Sequence, residues 1–440
     1  MTFRSFFRCF AGCPGELPVT RAASLCPVCG GLLEVAHDEG ALARVSPAEW
    51  RSLFDARMLE AMGPGGSGVW GKREWVAPGL ADEHVVTLGE GKTPLVHAAR
   101  YGARIGVPEL LVKQSGTSHT GSFKDLGMTV LVSTVVHARA TGQLAVKALA
   151  CASTGDTSAA LAAYGAAAGL PVVVLLPAGL VSTAQLVQAL AHGARVLALD
   201  TDFDGCMTLV KELAVRGLVY LANSMNPLRI EGQKTVAFEI AQQLGWEAPE
   251  WIVLPSGNLG NAAALHAGFA MLVRLGLTSR LPRLCVAQAR AANPMVQAFR
   301  EGLSSVREVT ASETLATAIR IGRPVSAPRA MAAMAAMGGV AEDATEEELA
   351  EAAAEADRTG LYTCPHTAVA LVATRKLREA GTLQPRDRVV VVSTASGLKF
   401  TEFKLGYHEG TLRHVRGAQR NVPLTLPAKL DAVERALQDM

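Results

Sequence analysis

The sequence predicts an α/β protein built on parallel strands. From about residue 84 onward, short runs of β-branched residues alternate with longer amphipathic, alanine-rich stretches. That alternation is typical of parallel strands joined by helical crossovers. The chain has 440 residues, of which 49% are hydrophobic, so it can bury a large core and is long enough for more than one lobe. It contains no internal repeat and no low-complexity tract.

The strand candidates are short runs bounded by turn residues, and helices fill most of the gaps between them. In chain order they are residues 110–113, 146–151, 171–176, 195–199, 251–255, 284–288 and 388–393. Residues 38–82 are rich in glycine around Pro64 and predict an irregular arm. The alanine and methionine run from Ala330 to Met337 predicts a buried helix.

Composition and charge argue against several classes of function. The 42 Lys and Arg residues nearly balance the 40 Asp and Glu residues, and no basic stripe is interleaved with aromatic residues. Nucleic-acid binding is therefore not expected. The N-terminal segment lacks the apolar region of a secretory signal, and the longest apolar stretch is short and interrupted by Pro177. We expect a cytoplasmic protein that does not bind membranes.

Four of the eight cysteines, Cys9, Cys13, Cys26 and Cys29, crowd into the first thirty residues. They form two pairs separated by a twelve-residue loop, and paired thiols on tight turns suit tetrahedral zinc. We predict a structural zinc site, because four thiolates leave no open coordination position. A redox CxxC pair is the alternative, although such a pair would be expected beside a βαβ unit. The other four cysteines are scattered singly and are predicted to be structural.

The segment HTGSFKDLGMT, residues 119–129, places Lys124 at the start of a predicted helix. Gly121 and Ser122 precede Phe123 and Lys124, and the residues that follow have helical apolar spacing. The positive end of a helix dipole disfavours an ammonium, and a desolvating pocket lowers the pKa of a lysine further. An amine in this position is suited to form an imine. A solvated surface lysine is the alternative for this segment taken alone.

A second segment, PSGNLGNAAALHAGF, residues 255–269, predicts a strand end, a glycine-rich turn and a helix start. Gly257 and Gly260 allow close approach of the backbone, and the free amides of residues 257–261 can all point at one phosphate. The segment lacks the GxGxxG spacing and the downstream acidic residue of a dinucleotide site. It therefore predicts an anion cradle, with a simple tight turn as the alternative.

Two further loops follow predicted strands. In CASTGDTSAALAAYGAAAG, residues 151–169, hydroxyl side chains cluster where a helix begins, which suits a bound carboxylate. Helix capping by Asp156 is the structural alternative for this loop. In STASGLKF, residues 393–400, Thr394 offers a neutral hydroxyl that suits a ring nitrogen, although the segment alone is also typical of a turn.

Taken together and in this order, the segments resemble the tryptophan-synthase-β-like (fold type II) family of pyridoxal-phosphate enzymes, and within it the plant-type threonine synthases. The resemblance runs from GSGVWGKREW at residues 66–75 to LGYH at residues 405–408. Between them it includes LGEGKTPL, HTGSFKDLGMT, CASTGDTSAALAAY, LANSMNPLRIEGQKT, SGNLGN, CPHTAVAL and STASGLKF. It implies a two-lobed parallel-sheet fold, to which the cysteine pairs would add a zinc-ribbon-like segment.

The resemblance implies a cofactor role for several candidates. It makes Lys124 the lysine that bonds covalently to pyridoxal phosphate, and Thr394 the partner of the pyridine nitrogen. The loop that it assigns to the cofactor phosphate consists of Gly257, Asn258, Leu259, Gly260 and Asn261.

The resemblance also implies a substrate site. The residues that it assigns to the substrate carboxylate or phosphate are Ser153, Thr154 and Thr157. Those that it places around the leaving phosphate are Asn223, Ser224 and Arg229. A guanidinium at Arg229 would give bidentate recognition that a lysine would not. A salt bridge over the helix start is the structural alternative for Arg229.

Asp156 departs from the wider family. Many members carry Asn at this position, and its amide donates to the ring 3-oxygen, whereas the plant-type branch also has Asp. A carboxylate would repel the phenolate unless it is protonated or otherwise partnered. We therefore expect Asp156 beside the cofactor and leave its role open.

These assignments predict a division of the chain into five parts. They are a zinc-ribbon-like segment (1–36), an arm (37–83), a large cofactor-binding domain (84–130 and 231–415), a small α/β domain (131–230) and a C-terminal tail (416–440).

The implied reaction converts O-phospho-L-homoserine and water into L-threonine and phosphate, the last step of threonine biosynthesis. The resemblance thus predicts a carbon–oxygen lyase that acts on a phosphate ester, and we expect a homodimer. Two alternatives stay open. A threonine or serine dehydratase of the same fold would not need a cationic phosphate pocket at Arg229. A non-catalytic zinc-ribbon binding protein would carry a degenerate enzyme domain.

Overall fold

The computed structural model describes residues 3–153, 155–179 and 183–438. In these residues the strands form a three-stranded antiparallel sheet, a six-stranded mostly parallel sheet and a four-stranded parallel sheet. The two larger sheets confirm the predicted α/β class with a two-lobed, parallel-sheet architecture. Nowhere in the described residues is a helix both long and apolar enough to cross a lipid bilayer.

Each predicted strand is present, with ends shifted by at most two residues. The strands are β1 (Ser5–Cys9), β2 (Leu17–Pro18), β3 (Leu33–His37), β4 (Leu95–His97), β5 (Leu110–Gln114), β6 (Ala148–Ala152), β7 (Val172–Pro177), β8 (Arg195–Leu199), β9 (Val219–Leu221), β10 (Trp251–Pro255), β11 (Arg283–Ala289), β12 (Val340–Ala344) and β13 (Val389–Ser393).

The helices cover the faces of both parallel sheets. They are α1 (Glu39–Leu42), α2 (Pro47–Met58), α3 (Ala99–Arg104), α4 (Lys124–Ala140), α5 (Asp156–Ala167), α6 (Thr183–Ala191), α7 (Phe203–Val215), α8 (Pro227–Gln233), α9 (Thr235–Gln243), α10 (Gly260–Arg274), α11 (Pro294–Arg300), α12 (Ala327–Ala336), α13 (Glu346–Asp357), α14 (Pro365–Glu379), α15 (Thr401–Glu409) and α16 (Leu430–Gln438). The predicted alanine and methionine helix is α12, which buries one face through Ala330, Ala333 and Met334.

The six-stranded sheet has the order β12-β11-β10-β13-β5-β4, and its strands are parallel except for β4. All residues of β10 and β13 are buried, because helices cover both faces of a parallel sheet. The four-stranded sheet has the order β8-β7-β6-β9, and its strands lie within residues 131–230. The predicted domain boundaries themselves stay predictions.

The prediction of an irregular arm at residues 38–82 was wrong in part, because α1 and α2 lie within it. Helix α2 begins with a capping box, in which the Ser46 side chain accepts from the Glu49 N–H and Glu49 accepts from the Ser46 N–H. Pro47 occupies the first helical turn, where its missing N–H costs nothing. The sequence SPAE, residues 46–49, is therefore a motif that predicts a helix N-terminus.

Helices α4 and α8 cross with their backbones in contact. A Cβ atom on Gly127 would lie 2.7 Å from the carbonyl oxygen of Arg229, and one on Gly232 would lie 1.8 Å from that of Leu126. Such an approach requires glycine on both helices. The crossing holds Arg229 against Gly127, which is less than one helical turn from Lys124.

Replacing Gly232 with Ala should destabilise the protein, because the new methyl group would overlap the backbone of α4. Overpacking of this kind costs at least about 1–3 kcal/mol. The measurement is the midpoint of thermal unfolding, with Gly79→Ala as the control, since a Cβ there meets nothing within 4 Å. Equal midpoints for the two variants would contradict the tight crossing.

Candidate active site

The loop that follows β13 lies against the segment that precedes α4. The Phe123 N–H donates to the Thr394 carbonyl oxygen at 3.0 Å. Ser122 and Ala395 form an isolated antiparallel bridge. Thr394 is buried at the end of β13, so the structure brings this predicted ring-nitrogen partner to the start of α4, where Lys124 lies.

Lys124 is the first residue of α4, as predicted. Its Nζ lies 3.9 Å from the centroid of the Phe123 ring. Burial, followed by the positive charges of Arg229 and Lys399, lowers the pKa of Lys124 to about 7, while Asp156 acts in the opposite direction. A substantial fraction of this amine is therefore neutral near neutral pH and can act as a nucleophile or a base.

The glycine-rich turn after β10 has the shape predicted for an anion cradle. Leu259 takes a left-handed conformation with φ of 63°, and α10 begins at the next residue. Asn261 Nδ2 donates to the Pro255 carbonyl oxygen at 2.6 Å, while the carbonyl oxygen of Asn258 accepts from the Ser326 N–H at 3.1 Å. These bonds shape the loop from both sides, and the amides at the start of α10 are the groups suited to an anion.

Ser326 lies beside this cradle, although the sequence did not predict it there. Its side chain is fully buried, and within the described ranges its hydroxyl has no hydrogen-bond partner. The hydroxyl oxygen lies 3.8 Å from the position that a Cβ on Gly260 would take. A serine directly before a helix predicts a cap, but this hydroxyl does not cap α12. Its unpaired hydroxyl thus lies beside the first turn of α10.

Arg229 is buried and presents one edge of its guanidinium. Nη1 donates to the Ala222 carbonyl oxygen at 3.1 Å, and Nη2 donates to Thr157 Oγ1 at 3.3 Å. In the described part of the chain, Nε has no partner, and no salt bridge to a carboxylate is formed. The alternative of a structural salt bridge is therefore absent there. Nε and Nη2 form the edge of the guanidinium that can donate hydrogen bonds to two phosphate oxygens at once.

The other predicted substrate residues mainly contact the backbone. Ser153 Oγ accepts from the Gly155 N–H at 3.3 Å, and Thr154 lies outside the described residues. Asn223 is buried, and its amide both donates to and accepts from the backbone of Ala152, at 2.9 and 3.1 Å. Asn223 therefore ties β9 to β6. Ser224 follows it and is partly exposed.

Asp156 has a partner, Lys399, that the sequence did not predict. Lys399 Nζ lies 2.9 Å from Asp156 Oδ1. Burial alone would raise the pKa of Asp156, but the charges of Lys399 and Lys124 lower it below its usual value. Asp156 is the first residue of α5 and Gly155 is its cap, so the capping alternative is wrong. The carboxylate is thus ionised and partnered.

Comparisons with known proteins decide the family. The family described as pyridoxal-phosphate dependent enzymes matches residues 86–395. Threonine synthase 2, a chloroplastic protein of Arabidopsis thaliana, is 49% identical over 412 residues, which cover 93% of this chain and 80% of the relative. The chain belongs to the threonine synthase family.

Two further comparisons agree with membership of the threonine synthase family. A threonine synthase of Methanosarcina acetivorans is 38% identical over 426 residues, and the match covers 97% of each chain. The crystal structure of threonine synthase from Escherichia coli has a TM-score of 0.70 at 23% identity, covers 99% of this chain and shares its fold. The resemblance predicted from the sequence is confirmed. The homodimer and the cytoplasmic location stay predictions.

The residues fit the cofactor of the threonine synthase family. A phosphate requires several donors, and the start of α10 supplies free amides beside the unpaired hydroxyl of Ser326. A Cβ on Gly257 would lie 2.8 Å from the Ile319 Cα, so the turn must stay free of side chains there. Lys124 supplies the amine. The roles of individual residues stay predictions.

The four N-terminal cysteines converge. Their Sγ atoms all lie within 4.8 Å of one another, and those of Cys9 and Cys29 are 3.5 Å apart. The Val28 N–H points at Cys26 Sγ, and the Gly31 N–H points at Cys29 Sγ, as in a zinc knuckle. A tetrahedral zinc with sulfur at about 2.3 Å would place these atoms roughly 3.8 Å apart. The cluster fits that geometry.

Proposed function

We propose that the protein converts O-phospho-L-homoserine and water into L-threonine and phosphate, with Lys124 as its catalytic lysine. One observation carries the proposal. The amine of Lys124, whose pKa burial lowers to about 7, shares a site with the open guanidinium edge of Arg229. A proton-transfer group and a phosphate grip in one site are what this reaction requires.

The cofactor would be held by residues from both sides of the site. Lys124 would hold it covalently, the turn from Gly257 to Asn261 with Ser326 would hold its phosphate, and Thr394 would face its ring nitrogen. When bound, pyridoxal phosphate supplies an electron sink for the carbanions that proton removal leaves. A threonine hydroxyl is a weak acid and would leave the ring nitrogen largely unprotonated.

Lys124 would move the protons. As a neutral amine it can take the proton from the α-carbon of the substrate and then serve the β-carbon, where water adds after phosphate has left the γ-carbon. A pKa close to neutral lets the same group act as base and then as acid. The oxygen that becomes the threonine hydroxyl comes from water, and the phosphate leaves intact.

Arg229 would bind the phosphate of the substrate. Nη1 is fixed on the backbone of Ala222, which leaves the Nε and Nη2 edge for two oxygens, with Thr157 beside it. Burial lowers the pKa of Arg229 to about 10. This value is still well above neutral pH, so the guanidinium stays cationic there. A dehydratase that acts on free serine or threonine has no use for this cation.

Lys124→Ala should abolish threonine formation, because the substitution removes the amine that binds the cofactor and moves protons. We expect turnover to fall by at least about 10²- to 10⁴-fold. Circular dichroism and thermal unfolding should change little, since the side chain is partly exposed. The exposed Lys147→Ala is the control and should remain active. Undiminished turnover by Lys124→Ala would refute the assignment.

Arg229→Lys should raise the KM for O-phospho-L-homoserine by about 10- to 100-fold, because a point charge replaces a fork that can grip two oxygens. The dissociation constant of the cofactor should change far less. Both are measured on the same preparation, together with ammonia release from free serine and threonine. An equal rise in the KM for the substrate and in the dissociation constant of the cofactor would show that Arg229 has a structural role instead. Preferred turnover of free serine or threonine would show a dehydratase instead.

We also propose that Cys9, Cys13, Cys26 and Cys29 hold one structural zinc ion. A hydrogen bond from the Cys13 N–H lowers the pKa of Cys9 to about 6, while the neighbouring thiol of Cys29 raises the pKa of Cys13 to about 12. Four thiolates at this spacing repel one another unless a cation lies between them. Zinc would also stabilise a three-stranded sheet too small to form its own core.

Protein purified without chelator should contain one zinc per chain by elemental analysis, and its four N-terminal thiols should resist titration until a chelator is added. Cys29→Ser, at an exposed ligand position, should lower the zinc content. Cys206→Ala, outside the cluster, should not. Only trace zinc with all four thiols freely titratable would reject the site.

A further inference from the structure

We propose that Lys399 is a positioning residue that neutralises Asp156 and thereby prevents Asp156 from pairing with Lys124. The proposal rests on the proposed role of Lys124 as the catalytic lysine. It assigns a task to two residues whose contribution to the site is otherwise open. Lys399 would act through Asp156 and would not itself react.

Lys399 is held by three acceptors from different parts of the chain. Its Nζ lies 2.9 Å from Asp156 Oδ1, 2.9 Å from the Thr120 carbonyl oxygen and 2.7 Å from Gln188 Oε1. An ammonium has three N–H donors, so each donor has a partner. Gln188 Nε2 also donates to the Thr120 carbonyl oxygen, at 3.0 Å. The ammonium therefore has one fixed position beside Asp156.

The charges that face Lys124 come from three elements. Arg229 projects from α8, Asp156 begins α5, and Lys399 ends the short 3-10 turn Gly397–Lys399. His366 at the start of α14 also faces Asp156, and Asp125 on α4 accepts two bonds from Thr120. The negative charge of Asp156 favours the ammonium form of Lys124, and the positive charge of Lys399 opposes that effect.

Removing Lys399 would leave the largely buried Asp156 without its contact partner. The side chain of Asp156 is only 10% exposed, so solvent would screen its charge poorly. The unpaired carboxylate of Asp156 would then attract Lys124 and stabilise its ammonium form. An ammonium cannot form an imine with the cofactor or accept the substrate proton. The ion pair thus keeps the nucleophile available near neutral pH.

A merely structural role for Lys399 makes a different prediction. If Lys399 only fastens Thr120 to α6, its loss should disturb the site whether or not Asp156 is charged. If it neutralises Asp156, then replacing Asp156 with Asn should reverse the effect of losing Lys399. The two roles are therefore separated by a double-mutant cycle.

The test measures the amine of Lys124 directly, in the full-length chain freed of cofactor. Acetic anhydride labels neutral amines, and mass spectrometry of the Lys124 peptide gives its labelling rate from pH 6 to 9. In Lys399→Met the midpoint should move by about one pH unit in the alkaline direction, because the charge of Asp156, no longer paired with Lys399, then stabilises the ammonium of Lys124. Asp156→Asn should move it in the acidic direction. Lys399→Arg should leave it close to wild type.

The double variant Lys399→Met with Asp156→Asn should have a midpoint close to that of Asp156→Asn alone, because Lys399 then has no carboxylate to neutralise. An unchanged midpoint in Lys399→Met, or a double variant identical to Lys399→Met, would overturn the proposal. Circular dichroism of each variant confirms folding, and Asp156→Asn alone still tests the charge if Lys399→Met does not fold. Labelling requires no turnover, so its result is separate from that of the Lys124→Ala assay.

Discussion

The backbone contact between α4 and α8 is the constraint on which the site depends. Gly127 and Gly232 let the two helices approach until main-chain atoms touch. That approach places Arg229 beside the first turn of α4, and it also turns the opposite side of α8 towards the N-terminal sheet. There His37 at the end of β3 contacts Glu231, with Nε2 and Oε1 2.6 Å apart. The short helix α8 thus connects the cysteine-rich segment to the start of α4, where Lys124 lies.

Buried charges fix the segment that leads into β4. Glu239 on α9 accepts from the N–H groups of Lys92 and Thr93 and pairs with Lys113 at 2.5 Å. Glu90 accepts from Tyr164 at 2.7 Å, which links the segment to α5. Breaking a buried pair of this kind typically costs about 3–5 kcal/mol, because one charge is left uncompensated. The contact between Glu90 and Tyr164 thus joins this segment to the helix α5, which packs beside the four-stranded sheet.

The parts of the site that the sequence predicted are those whose signal is local. A strand followed at once by a glycine turn and a helix is one continuous segment, so Gly257 to Asn261 and the start of α4 at Lys124 could be read from neighbouring residues. Six strands were not predicted, namely β1 to β4, β9 and β12. The shortest of them contain too few residues for a clear pattern, and β12 carries Glu342 and Asp343, which are uncommon in strands.

Residues whose partners are distant in sequence could not be predicted. Lys399 meets Thr120, Asp156 and Gln188, and none of these lies near it along the chain. Nothing in STASGLKF distinguishes this lysine from a solvated one. Ser326 gave a misleading signal, since its position before α12 predicts a cap and only the fold brings it to Gly260. Tertiary contacts, which local patterns do not encode, decide both positions.

The distance along the chain between β3 and α8 has a consequence for biosynthesis. About 200 residues separate His37 from Glu231, and at about 5–20 residues per second their synthesis takes roughly 10–40 s. During that interval the N-terminal sheet has left the ribosome without α8, the helix that packs against β3 in the folded chain. A metal ion taken up by the cysteines in this period would keep the nascent strands paired until their docking surface emerges.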